Sequence, residues 1–117
     1  MKALQCTELG GPEKLSVNEI DDPVIAAEHV IIDVRSASVN FPDVLMIQGL
    51  YQFQPPLPFT PGGESAGVIS EVGEGVTDYK VGDKVFTACM IGGIAEKILT
   101  HQSTLRPIPE GMAVSYT

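Results

Sequence analysis

The stretch Pro61–Gly62–Gly63–Glu64–Ser65–Ala66–Gly67–Val68–Ile69–Ser70–Glu71–Val72 decides the fold reading. Two adjacent glycines after a proline allow a tight backbone turn, and Ser65–Val72 then reads as a strand. Immediately upstream, Pro55–Pro56–Leu57–Pro58–Phe59–Thr60–Pro61 carries four of the chain's nine prolines. That segment is too rigid and irregular for helix or strand, so an ordered loop is expected. Downstream, turn signals at Gly73–Glu74–Gly75 and Gly82–Asp83 bracket a segment leading to a strand at Lys84–Ala88. Gly92–Gly93 interrupts, and β character resumes over Ala95–Thr100. Towards the N-terminus, Lys2–Thr7 and Lys14–Ile20 read as strands separated by the turn Gly10–Gly11–Pro12. In His29–Val39, Val30, Ile32 and Val34 alternate with Ile31, Asp33 and Arg35, the period of a half-buried strand. Short strands at this spacing point to a barrel or a sandwich.

One segment reads as helix. Asn40 is a favoured N-cap, Pro42 suits the first turn, and Asp43 places a negative charge at the positive end of the helix dipole. Val44–Gln48 continues the helix for about two turns, and Gly49 ends it. Among the chain's turns and strands, no Gly-x-Gly-x-x-Gly follows a strand; Gly73-x-Gly75 lacks the third glycine and leads into another strand. A dinucleotide fold built within this chain is thereby excluded.

Composition bounds the function. A chain of 117 residues is one domain's length, and with 44% hydrophobic and 19% charged residues it can bury a core. Fifteen acids against seven bases give a formal charge of −8, which repels phosphate backbones and anionic lipid, so neither nucleic acid nor membrane is expected as a partner. No stretch reads as a signal peptide or a spanning helix. Cys6 and Cys89 stand without a Cys-x-x-Cys or a Cys–His cluster. Two reduced thiols in a cytoplasmic protein are the expectation, although the count alone permits one disulfide.

Three segments in order now carry a resemblance: Val39–Asn40–Phe41–Pro42–Asp43 with Gly49–Leu50–Tyr51, then Pro61–Gly62–Gly63–Glu64–Ser65–Ala66–Gly67–Val68, then Val72–Gly73–Glu74–Gly75–Val76 with Val81–Gly82–Asp83–Lys84–Val85. Together they resemble the N-terminal catalytic domain of the medium-chain dehydrogenase/reductase superfamily, in its quinone oxidoreductase variant. The resemblance runs from about Met1 to Met112. It implies a mainly β, GroES-like, partly open barrel with a few short helices over residues 1–112, and leaves 113–117 as a tail or the start of a linker to a Rossmann domain that this chain does not contain.

Within that superfamily the zinc alcohol dehydrogenases place a cysteine ligand where this chain has Asn40, and a histidine ligand where it has Gly63. Zinc is held by thiolate, imidazole or carboxylate, and asparagine and glycine supply none of these. The cysteine-rich lobe that carries a structural zinc is missing as well, since Cys89 stands alone in that region. The resemblance therefore implies a zinc-free reductase. Without a Lewis acid to stabilise an alkoxide, the expected acceptor is a quinone or an α,β-unsaturated carbonyl, which spreads the incoming charge through its own conjugation. An enoyl-thioester reductase using the same residues is the near alternative. A stand-alone GroES-like binding module is the distant one, and the stiffness of Pro55–Pro61 argues against the mobile loop that a co-chaperonin needs.

The resemblance further implies which residues face the reaction. Asn40 lies beside the nicotinamide, where its amide can reach cofactor or substrate. Asp43 lies near the site, and a first-turn acid is its simpler role. Tyr51 stands at the site's mouth, where the phenol can donate a proton or a hydrogen bond. These are the candidate catalytic residues, with Asn40 and Tyr51 also touching the cofactor. Glu64 is expected to be semi-buried and to support the site, with Gly62 and Gly63 making the turn. His29 and His101 match no ligand position and are expected to be structural or surface residues. Ser65 lies in Gly-Glu-Ser-Ala-Gly but leads into a strand, which a nucleophile elbow does not. NADPH is implied as the cofactor, bound mainly by the absent half, and a homodimer is implied for the parent, since relatives pair through the Rossmann domain. This chain by itself is accordingly expected to hold NADPH weakly or not at all and to be catalytically silent; NADPH-dependent quinone turnover by the purified 117-residue chain would overturn that expectation.

Overall fold

Strand segments with polar turns between them can satisfy their backbone only by pairing, and the computed structural model, which describes residues 1–109, shows how they do so. Strands β1 (Lys2–Cys6) and β2 (Leu15–Glu19) form an antiparallel pair in which Lys2 faces Glu19 and Cys6 faces Leu15. Five further strands, β3 (His29–Ser38), β4 (Glu64–Val72), β5 (Lys84–Ala88), β6 (Lys97–His101) and β7 (Leu105–Pro107), form a second antiparallel sheet in the order β6-β3-β4-β5-β7. The two sheets do not close on one another. A single α-helix, α1 (Phe41–Gln48), leaves the end of β3, and 3₁₀ turns at Pro12–Lys14 and Gln102–Thr104 complete the regular elements among the described residues. The architecture is therefore mainly β and partly open, as expected, and its few short helices are one α-helix and two 3₁₀ turns among the described residues. The anticipated segment 113–117 lies outside the described residues.

Val30, Ile32, Ile69, Val85, Ile98 and Leu105 make the main core between the strands of the larger sheet. Burying a side chain of this size contributes about 2 kcal/mol relative to leaving it in water. A second cluster, Cys6, Met46, Ile47 and Phe59, seats α1 against β1 and the proline-rich loop. The expected alternation along β3 holds from Val34 onward, but Ile31 is as buried as Val30 and Ile32, and Asp33 is half-buried like Val34. Strand β7 escaped the sequence reading. It has three residues, ends in proline, and exists because Leu105 and Pro107 pair with Thr87 and Val85 of β5. Beside it, the hydroxyls of Thr87, Thr100 and Thr104 approach within 2.7–3.2 Å of one another, and Thr104 donates to the His101 carbonyl at 2.8 Å. Among the described residues no helix is long and apolar enough to cross a membrane.

Gly67 of β4 pairs with Val34 of β3, where the register shifts between Val34 and Ser36. A Cβ added to Gly67 would lie 1.9 Å from the carbonyl oxygen of Asp33, so only glycine fits. Gly82 offers the control, with φ of +96° but nothing within 4 Å of an added Cβ. Thermal and denaturant unfolding are expected to show Gly67→Ala losing about 3 kcal/mol or more of stability and Gly82→Ala only about 1 kcal/mol, the cost of its left-handed backbone. Equal losses at the two positions would contradict this account of the strand crossing.

Candidate functional site

Helix α1 begins as its residue types dictate. Asn40 is in extended conformation, and its backbone N–H donates to Asp43 Oδ2 at 2.8 Å, the returning arm of a capping box. Asp43 is only 4% exposed, so this bond both starts the helix and satisfies a buried carboxylate. At the other end Gly49 adopts φ of +75°, and the N–H of Leu50 reaches the carbonyl of Leu45 at 2.9 Å. The chain then turns so that Tyr51 packs, half-buried, against the cluster of Cys6, Met46, Ile47 and Phe59.

The second wall comes from Pro61–Gly63. Gly62 has φ of +110°, and an added Cβ would lie 2.7 Å from the Ile94 side chain and 2.8 Å from the Ile94 backbone nitrogen. Four backbone bonds lock this crossing: Gly92 N–H to Thr60, Ile94 N–H to Pro61, Gly93 N–H to Gly62 and Cys89 N–H to Gly63, at 2.7–3.1 Å. The tight turn expected at Gly62–Gly63 is thus centred on Gly62. It launches β4 with Glu64 opposite Asn40.

Between these walls lies a cavity of about 220 Å³. Asn40, Asp43 and Tyr51 all line it, together with Glu64 and the apolar sides of Met46 and Met90. The Asn40 amide nitrogen donates to Glu64 Oε1 at 2.7 Å and lies 3.4 Å from Ser38 Oγ. The Tyr51 hydroxyl has no hydrogen-bond partner among the described residues. Glu64 is solvent-exposed in this chain, not semi-buried as expected, because β4 begins at the rim of the cavity rather than beneath it. Met46 and Met90 were not legible as site residues. Met46 reads as ordinary helix core, and Met90 faces the cavity because it takes a left-handed backbone with φ of +70°, which no sequence rule assigns to methionine. A larger groove of about 400 Å³ lies between β1 and the end of β3, where Ala3, Leu4, Val17 and Val34 stand beside Lys2, Arg35, Ser36 and Glu96, but none of Asn40, Asp43 and Tyr51 lines it.

Cys89 sits behind this cavity, its thiol 3.4 Å from the Gly62 carbonyl. Burial pushes its pKa up to about 11, and the negative charges of Asp43 and Glu64 add to the effect. Both cysteines are free, and burial raises Cys6 as well. His29 and His101 meet as cross-strand partners with rings 5.1 Å apart and perpendicular, and neither lines the cavity. Ser65 is inside β4 and 1% exposed, out of reach of any substrate. Among the described residues no three His, Cys, Asp or Glu side chains gather as a metal-binding group.

Comparison with known proteins places this geometry in context. Residues 26–112 match the family described as the alcohol dehydrogenase GroES-like domain. Mouse quinone oxidoreductase-like protein 2 is 40% identical over 113 residues, covering 97% of this chain and 32% of that protein. Human quinone oxidoreductase is 39% identical over 112 residues, covering 94% of this chain and 34% of that protein. Escherichia coli quinone oxidoreductase, solved in complex with NADPH, superposes with a TM-score of 0.92 at 28% identity, over 97% of this chain and 35% of that one. The chain thus spans about a third of the length of the relatives it matches.

A thiol with a pKa near 11 is almost wholly protonated at pH 8. Alkylation of Cys89 by iodoacetamide at that pH, followed in a Cys6→Ser background by mass spectrometry, is expected to run on the order of 100-fold slower than for an unperturbed thiol. A rate within a few-fold of free cysteine would contradict the burial described here.

Proposed function

Because the chain belongs to the alcohol dehydrogenase GroES-like domain family, in the quinone oxidoreductase variant of the medium-chain dehydrogenase/reductase superfamily, we propose that it forms the acceptor side of a zinc-free, NADPH-dependent reductase of quinones or α,β-unsaturated carbonyls. The observation that carries the reading is the convergence of Asn40, Asp43 and Tyr51 on one cavity, in which the tyrosine hydroxyl has no hydrogen-bond partner among the described residues. The domain is residues 1–112. The rest of a parent about three times as long carries the dinucleotide phosphates, for which this chain has no glycine-rich turn. We assign the parent to the cytoplasm as a homodimer, and the 117-residue chain alone as catalytically silent.

The residues present suit the nicotinamide end of NADPH. Met46 and Met90 offer apolar surface for a flat ring, and Asn40 and Tyr51 offer polar groups at its edge. When bound, NADPH supplies the hydride. Tyr51 then has the task of donating a hydrogen bond to the acceptor's carbonyl oxygen, where negative charge grows and a proton is finally needed. Asp43 holds the start of α1 in place through the Asn40 backbone, and so positions Asn40 and Met46 on the same wall. The donor set does not suit zinc: an amide and a glycine stand at Asn40 and Gly63, the Cys89 thiol is held protonated by burial, and the nearby carboxylates of Asp43 and Glu64 are already bonded to Asn40.

The test is steady-state kinetics of the full-length protein with NADPH and a quinone in the presence of a chelator. Activity is expected to survive the chelator, and Tyr51→Phe is expected to lower kcat/KM on the order of 100-fold while leaving NADPH binding nearly unchanged. Activity abolished by the chelator and restored by zinc would refute the zinc-free reading, and an unaffected Tyr51→Phe enzyme would refute the role given to Tyr51.

A further inference from the structure

We propose that Glu64 is a positioning residue that fixes how the Asn40 side chain presents itself to the cavity. The inference rests on the reading of the cavity as a hydride-transfer site. An asparagine amide has two N–H donors. Here the amide nitrogen lies 2.7 Å from the Glu64 carboxylate and 3.4 Å from Ser38 Oγ, so both of its protons have acceptors within the protein. The contact to Glu64 is short and charge-assisted, which makes it the stronger of the two. Rotating the amide by half a turn would set its carbonyl oxygen against the Glu64 carboxylate, oxygen against oxygen, so one orientation is strongly preferred.

The consequence is a division of labour. With its nitrogen held by Glu64, Asn40 has no proton to offer a carbonyl acceptor, and hydrogen-bond donation to the substrate falls to the Tyr51 hydroxyl. Losing Glu64 frees the amide to turn, and the cavity then contains two competing donors in place of one fixed donor. The geometry that makes this possible comes from distant parts of the chain. Asn40 ends the excursion from β3, and Glu64 begins β4 directly after the Gly62 crossing.

Two measurements on the full-length protein test the proposal. In ¹H–¹⁵N spectra, the Asn40 side-chain amide, identified by its loss in Asn40→Ala, is expected to show one proton displaced well downfield. That displacement collapses in Glu64→Ala and persists in Glu64→Gln, which keeps an acceptor oxygen. In kinetics, Glu64→Ala is expected to lower kcat/KM about tenfold, the scale of one hydrogen bond to a charged group. Glu64→Gln recovers most of that loss, and Glu64→Ala has no further effect in an Asn40→Ala background. Asn40 amide signals indifferent to Glu64→Ala, or a tenfold loss that persists without Asn40, would overturn the proposal. A wild-type protein that gives the expected amide signals yet reduces no quinone defeats the functional reading and leaves the tie between Glu64 and Asn40 standing, so the two failures are distinguishable.

Discussion

A backbone crossing at which no Cβ can stand holds this domain's cavity together. At Gly62 the chain passes so close to Ile94 that any larger residue collides with both side chain and main chain. Bonds from Gly92, Gly93 and Ile94 close the crossing, and the Ile94 carbonyl in turn accepts the N–H of Leu4. One contact therefore ties β1, the start of β4 and the loop before β6 into a unit. Everything that faces the cavity is referred to it: Glu64 follows it by two residues, Met90 lies on the segment bonded to it, and Cys89 sits behind it with its thiol against the Gly62 carbonyl. The close approach of Gly67 to Asp33 acts in the same way further along β4, fixing where that strand runs against β3.

Upon that frame the chemistry is a matter of which polar groups remain free. Asp43 is buried and engaged with the Asn40 backbone, and the Asn40 amide is engaged with Glu64. The nearby thiol is held in its protonated form by burial. Three potential anionic or ligating groups are thereby neutralised or occupied. What is left lining the cavity is a phenol whose hydroxyl has no partner among the described residues, together with the side chains of Met46 and Met90. In the function proposed above, such a site offers a donor and an apolar surface to an acceptor that carries its own conjugated electron sink.

Much of this was legible in the sequence where local chemistry decides the outcome. Asn40, Pro42, Asp43 and Gly49 encode the start and stop of α1 through capping and backbone preference, and the helix appears where they place it. The strands at Lys84–Ala88 and His29–Ser38 follow from alternation and flanking turns. What was not legible depends on partners distant in sequence. Strand β7 has no pattern of its own and forms because β5 offers it an edge. The exposure of Glu64 and the inward facing of Met90 follow from where the Gly62 crossing leaves the chain, and no window of local sequence contains that information. The bond between Asn40 and Glu64 spans 24 residues and became visible only once β3 and β4 were paired.

The central claim is that the cavity bounded by Asn40, Asp43 and Tyr51 is where the nicotinamide meets its acceptor. The most direct measurement is a crystal structure of the full-length protein with NADPH and a quinone or an unreactive quinone analogue. The account predicts the nicotinamide ring against this cavity and the acceptor oxygen within hydrogen-bond distance of the Tyr51 hydroxyl. A nicotinamide seated elsewhere, or an acceptor held by a metal ion with Tyr51 turned away, would contradict it.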